Sequence, residues 1–190
     1  LINGCASPEV LEPRPGLVPT GIDFSGNWIL RNDKRADDKR IQQAIRRTDG
    51  IEDSDIFSSR NTETGTGSPS KTERIKGGLV FVFLVTGSSL KITQTQHGLF
   101  ISFDRAVVEE FRFGEDRMIN VGEVEGQRVT GWEEDQLVVE TLDRNSMKLT
   151  ERFQLLHNGA VVQRTISLRS RSGDTDSFVQ LFDRVIPNLR

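Results

Sequence analysis

Two histidines, one cysteine and no tyrosine leave this chain of 190 residues few side chains suited to acid–base, nucleophilic or metal chemistry. His97 precedes Gly98 and His157 precedes Asn158-Gly159, so both fall in expected turns, far apart in sequence. A zinc site would then need carboxylates that the pattern does not single out, and no metal is expected. Cys5 stands in a stretch with no periodic structure around it, which argues against a Cys–His nucleophile pair. No Gly-x-Ser-x-Gly, phosphate-loop or dinucleotide fingerprint occurs, and no cofactor is expected. Among the charged residues, Glu140 and Glu151 fall on neighbouring expected strands and could meet as paired carboxylates. Turn-linked strands more commonly set acids against bases. Arg152 and Arg164 are therefore the expected partners, on the outer face or as buried counter-ions for an acidic ligand. No residue is assigned a catalytic role.

The elements that would position these groups are mostly strands. Hydrophobic residues make up 35% of the chain and charged residues 28%, which suits one domain with a single core. A formal charge of −3 argues against general nucleic-acid affinity. Eleven Phe, two Trp and no Tyr supply aromatic bulk with few polar tips. The segments Leu90–Gln96, Leu99–Asp104, Val107–Phe113, Arg117–Val121, Gln127–Trp132, Gln136–Leu142, Leu149–Leu155, Val161–Leu168 and Phe178–Val185 each read as a strand. Polar or Gly-containing turns separate them, with Asn158-Gly159 a strong hairpin signal. Same-side pairs such as Ile101 with Phe103, Leu137 with Val139 and Phe178 with Phe182 mark an inner face at period two. Such a meander hides its edges by closing into a barrel.

Before this run, residues 1–21 carry four of the chain's prolines and read as an extended tether, leaving 22–190 as the barrel domain. Residues 33–48 read as a helix capped by Asn32 or Asp33, with Ile41, Ala44 and Ile45 as its apolar stripe. The helix is strongly basic, and Arg40, Arg46 and Arg47 are candidate contacts to a protein partner or an anionic membrane surface. Residues 50–78 read as a long Ser/Thr/Gly-rich loop inserted in the domain. Leu79–Val85 fits either a buried strand or two turns of buried helix.

The stretch Asp23-Phe24-Ser25-Gly26-Asn27-Trp28-Ile29-Leu30 carries a Gly-x-Trp, and at this point the chain resembles the lipocalins, which open their barrel with that motif. The resemblance implies a mainly β, up-and-down antiparallel lipocalin-like barrel with one helix inserted after the first strand. It also implies that Arg184, near the end of the last strand, covers Trp28, with Gly26, Trp28 and Arg184 closing one end. The lipocalin Thr-Asp-Tyr turn has no counterpart, and the inserted helix and loop depart from that pattern. Phrases such as Leu90-Lys91-Ile92-Thr93-Gln94 are similar to the loose class of lipocalin-like domains in bacterial secreted proteins. Leu1-Ile2-Asn3-Gly4-Cys5-Ala6-Ser7 resembles a bacterial lipobox, implying acylation of Cys5, a fragment of a longer precursor and an outer-membrane location.

The expected function is binding. A membrane-tethered barrel would hold a small apolar or amphipathic ligand in the bacterial envelope, on its periplasmic side. Trp28, Ile101, Phe103, Phe111, Trp132, Val139, Phe153 and Phe182 are the candidate lining residues. The alternative is a barrel filled by its own side chains that docks an envelope protein without catalysis.

Overall fold

A computed structural model describes residues 9–49 and 79–186 of the chain. Cys5 and the 50–78 insertion lie outside the described residues, apart from the element ends given below. Ten strands follow in order: β1 (Gly26–Leu30), β2 (Ser89–Gln94), β3 (Gly98–Phe103), β4 (Val107–Arg112), β5 (Glu115–Val121), β6 (Val124–Glu133), β7 (Gln136–Asp143), β8 (Lys148–Leu156), β9 (Val161–Arg169) and β10 (Thr175–Arg184). Among the described residues, one helix, α1 (Lys34–Asp49), and a short 3-10 helix (Leu79–Phe83) stand between β1 and β2. Leu79–Phe83 is thus neither the strand nor the α-helix its composition allows. Of its side chains, Val80 and Phe83 fill a corner while Val82 is exposed.

Every ladder is antiparallel and joins chain neighbours, except that β1 pairs with β10. Trp28 stands opposite Arg184 and Leu30 opposite Phe182, so the first and last strands close the wall. The fold is the expected up-and-down, lipocalin-like barrel with its helix after the first strand. Its one interruption lies between β4 and β5, which follow one another in sequence but share no ladder. Side chains bridge this seam: Arg117 donates to the Glu110 carbonyl at 2.7 Å, and Arg128 reaches Glu109 at 3.0 Å.

Turn chemistry follows the sequence closely. Glu134, with φ of 54°, makes a two-residue turn between the paired residues Glu133 and Gln136. The β8–β9 connection is longer than its Asn-Gly suggests. His157, Asn158 and Gly159 all adopt positive φ, and Leu156 pairs with Val161 across a four-residue loop. Gly126 lies inside β6.

Asp33 caps α1: its carboxylate accepts from the Arg35 N–H at 3.0 Å and its carbonyl from those of Ala36 and Asp37. The helix lays Ile41 and Ala44 on the end of the barrel beside Phe178, Ile166 and Leu168. Val80 and Phe83 of the 3-10 helix enter the same cluster, with Leu149 and Met147. This is the lid end. At the opposite, floor end, Phe24, Trp28, Phe113 and Trp132 belong to a second and larger cluster that runs up the interior to Phe103 and Phe153.

Residues 9–15, read from sequence as part of a tether, lie as a strap on the outside of β6, β7 and β8, while Val18 packs against the interior cluster. Leu11 packs with Val129 and Leu142, two outward-facing residues that the strap hides from water. The Leu11 N–H donates to the Gln127 amide oxygen at 2.8 Å, and the same amide group donates back to the Leu11 carbonyl at 3.0 Å. The Trp132 N–H donates to the Pro15 carbonyl at 2.9 Å. A side chain at position 131 would meet the Pro15 oxygen at 2.5 Å, so Gly131 is what admits the strap.

Candidate functional site

Alternation along each strand decides which side chains enter the barrel. On the floor side the result is apolar. The eight residues expected to line a ligand site (Trp28, Ile101, Phe103, Phe111, Trp132, Val139, Phe153 and Phe182) all face inward and are members of one cluster, each buried. They pack on one another: Phe24 stacks on Trp132 with centroids 6.1 Å apart, and Phe113 meets Trp132 edge-on at 5.2 Å.

Arg184 closes the floor from outside, its guanidinium carbon 4.1 Å from the centre of the Trp28 ring. It is held there by the carbonyls of Gly159 (2.7 Å) and Ser25 (2.8 Å), while the indole N–H of Trp28 donates to the Phe24 carbonyl at 3.1 Å. A Cβ at residue 26 would strike the guanidinium at 2.7 Å, and φ there is 149°. Glycine is therefore required on both counts.

Toward the lid end the same strands turn polar. Arg164 on β9 is 1% exposed and Glu151 on β8 is 2% exposed. Arg164 donates to Glu151 (Nε at 2.8 Å, with a second contact through a terminal nitrogen), to the Gln180 amide oxygen at 3.3 Å and to the Val85 carbonyl at 2.9 Å. Its guanidinium also lies between the rings of Phe103 and Phe153. Beside it, Arg128 donates to Thr141 at 3.1 Å and to Glu109, and lies over both Phe83 and Phe111. Asp37, from the first turn of α1, is 2% exposed and hangs above this group. The Gln180 amide nitrogen reaches one of its oxygens at 3.4 Å; the other has no hydrogen-bond partner.

The candidate charged pairs therefore resolve by face. Glu140 points outward and Glu151 inward, since Val139 stands opposite Glu151 and Glu140 opposite Thr150. The two carboxylates do not meet, and Arg152 is likewise outside. Arg164 is the inner partner.

The outer group forms a chain of ion pairs that runs Arg152, Glu133, Arg14, Glu140, Lys148, Glu9, Arg169. Two of its members, Glu9 and Arg14, belong to the strap. Arg169 and Arg152 hold the Glu9 and Glu133 carboxyls, respectively, below the usual carboxylate range. Burial works to raise Glu140, but Arg14 and Lys148 outweigh it and hold that group low as well.

Of the basic residues on α1, Arg40 and Arg46 are exposed, and Arg47 reaches Asp176 on β10 at 3.1 Å. His97 and His157 are exposed in their turns. Among the described residues, no three His, Cys, Asp or Glu side chains are grouped to hold a metal ion. One hollow, of about 660 Å³, lies under the floor and is bounded by Gly21, Asp23, Asn158 and Arg184.

The polar belt was not singled out from sequence, although the parity that marks the core also marks it. Glu151 stands between Leu149 and Phe153, Arg164 between Val162 and Ile166, and Gln180 between Phe178 and Phe182, each on the apolar side of its strand. Asp37 precedes Ile41 and Ala44 at helical spacing on the face α1 turns to the barrel.

No family model matches the chain, and no curated protein matches it. Two solved structures similar to it are secretory abundant heat soluble proteins from Ramazzottius varieornatus. Protein 4 of that group is 12% identical over 86% of this chain and 95% of its own, with a TM-score of 0.46. The other, from a dimer sample, is 12% identical over 51% of this chain and 70% of its own, with a TM-score of 0.40.

Proposed function

We propose that the protein is a non-catalytic binding barrel for one small amphipathic molecule, seated at the lid end against the polar belt. The observation that carries this is the composition of the belt. A barrel meant only to be filled would gain stability from apolar side chains at these positions, because a buried ion pair is at best about neutral against well-packed hydrophobic residues. Here the floor end follows that rule and the lid end departs from it on β8, β9 and β10 together. A mostly apolar interior with a few convergent polar groups at one level is the usual make-up of a small-molecule site.

In the closed arrangement described, Val80 and Phe83 occupy the space next to the belt. A ligand would take their place, with the 3-10 helix and α1 moving aside. Binding at the belt rather than throughout the interior narrows the expected lining: the floor aromatics serve as the base of the site. Lipid attachment at Cys5 and residence in the bacterial envelope belong to this reading, with the barrel close to the membrane that would supply an amphipathic ligand.

A saturable titration with a fluorescent amphiphile tests the proposal. One molecule should bind per chain, and Phe83→Ala, which empties the competing volume, should bind it at least tenfold more tightly. Absence of saturable binding to both forms would overturn the proposal. A second reading, a filled barrel that docks a protein through Arg40, Arg46 and Arg47, would then be preferred. It is favoured by the solid packing of the floor and by the mutual neutralisation of Arg164 and Glu151.

A further inference from the structure

We infer that the molecule taken at the polar belt carries a hydrogen-bond-donating cationic head, an alkylammonium rather than a carboxylate, and that Asp37 receives it. This rests on the binding function proposed above and names the chemistry of that same site.

The inference comes from asking which valences inside the lid end are already filled. Arg164 makes four hydrogen bonds, to Glu151 twice, Gln180 and the Val85 carbonyl, and is stacked on two rings. It has little left to offer an anion. Arg128 is paired with Glu109 and Thr141 and is likewise covered by two rings. Gln180 is oriented by Arg164: its oxygen accepts there, so its amide nitrogen must face Asp37. That leaves the second oxygen of Asp37 as the unfilled valence of the group, an acceptor.

Charge agrees with valence. Arg128 is paired with Glu109 and Arg164 with Glu151, and among the described residues no cation pairs with Asp37. A buried acceptor without a donor is costly, and more so when charged. A ligand that brings three N–H donors and one positive charge removes both costs, whereas a carboxylate would add a second unpaired anion. The other buried side-chain atoms without partners do not compete for this role. Trp132 Nε1 is a donor in the floor cluster, Arg14 Nε belongs to the outer strap, and Asp143 Oδ2 sits on a carboxylate whose other oxygen already accepts from two backbone N–H groups of its own turn, those of Asn145 and Met147.

Octylamine, 1-octanol and octanoate, each kept below its aggregation range at neutral pH, separate the possibilities. Titrated into the full chain by calorimetry, octylamine, protonated there as a lysine side chain is, should bind at least tenfold more tightly than octanoate. Asp37→Asn should remove that preference and leave octanol binding unchanged. Octanoate or octanol binding as well as octylamine would overturn the inference while leaving the ligand-binding function standing. Octylamine binding that Asp37→Asn does not weaken would do the same. Binding of none of the three would overturn both. Should Asp37→Asn fail to fold, the ranking on the unaltered chain decides by itself.

Discussion

Below the level of Phe103 and Phe153 the barrel holds Trp28, Leu99, Phe111, Trp132 and Phe182 against one another. Above it, neighbouring strands carry Arg128, Glu151, Arg164 and Gln180 inward. The two halves share strands and ladders, so backbone pairing contributes alike to both. What differs is how each fills its interior. The floor uses apolar area, each buried large side chain contributing roughly 1.5–3 kcal/mol. The lid end uses paired charges whose desolvation largely cancels their attraction. The floor is thus where stability is concentrated, and the lid end contributes less of it, in keeping with the binding role proposed above. It also follows that the two ends should respond differently to loss of a single group.

The largest effect is expected at the floor. Trp28→Ala removes a fully buried ring together with the surface on which Arg184 rests, and should lower unfolding free energy by about 4 kcal/mol in chemical denaturation. A loss below 1 kcal/mol would mean that the floor is not the anchor of the fold. Next comes the belt. Glu151→Leu leaves the Arg164 charge buried without its partner and should cost about 3 kcal/mol. Adding Arg164→Met should recover most of that loss and abolish amphiphile binding. If the double replacement stays as unstable as the single one, the belt is a structural necessity and the contrast between the halves disappears.

Much of this contrast was open to reading in the sequence, though unevenly. The Arg184–Trp28 stack follows only from what the resemblance carried by the Gly-x-Trp implies; strand positions and the antiparallel meander with its closure follow from period-two alternation. These depend on local spacing, which one chain displays in full. The belt follows from the same alternation, but its members sit on three strands and a helix. Nothing local says that Glu151, Arg164, Gln180 and Asp37 converge, and a charged residue on an apolar side is easily passed over as an exception. The docking of the strap is hidden from sequence for a related reason. Pro13 and Pro15 do keep residues 9–16 out of helix and strand, but whether such a segment stands free or docks depends on what it meets. Here it meets Val129 and Leu142, outward apolar residues of distant strands. The seam between β4 and β5 likewise has no local mark.

A smaller effect is expected from the outer wall, which serves as a control on both halves. Gly131→Val places a side chain where the Pro15 carbonyl now lies and should lift the strap from β6, exposing Leu11 and its neighbours. The expected cost is about 1.5 kcal/mol, close to the burial of one aliphatic side chain. Protease cleavage within residues 9–16 should rise sharply, while ligand binding at the lid end stays unchanged. A loss of binding would show that the strap and the interior are coupled, and the two-ended description would need a third part.

The smallest effect is expected from acid. Glu9 and Glu140 have carboxyls held below their ordinary values by ion pairs that include strap residues, and Glu133 is held low chiefly by Arg152, with Arg14 of the strap adding to it. A group whose folded-state value is depressed contributes stability that is complete above the unfolded value, near 4.3 for Glu, and is lost as pH falls through the folded value. Strap docking should therefore be constant from pH 7 down to about 5 and weaken below roughly 4.3. Amide exchange across residues 9–16 should speed up there beyond the chemical trend, before the floor residues lose protection. Because these pairs are partly exposed, 1 M salt should reproduce part of the effect at pH 7 by screening. The Arg164–Glu151 pair is fully enclosed, so salt should leave ligand affinity at the lid end nearly unchanged. Equal salt sensitivity at the two places would mean that the belt is open to water, and the distinction between a wet outer network and a dry inner one would fail.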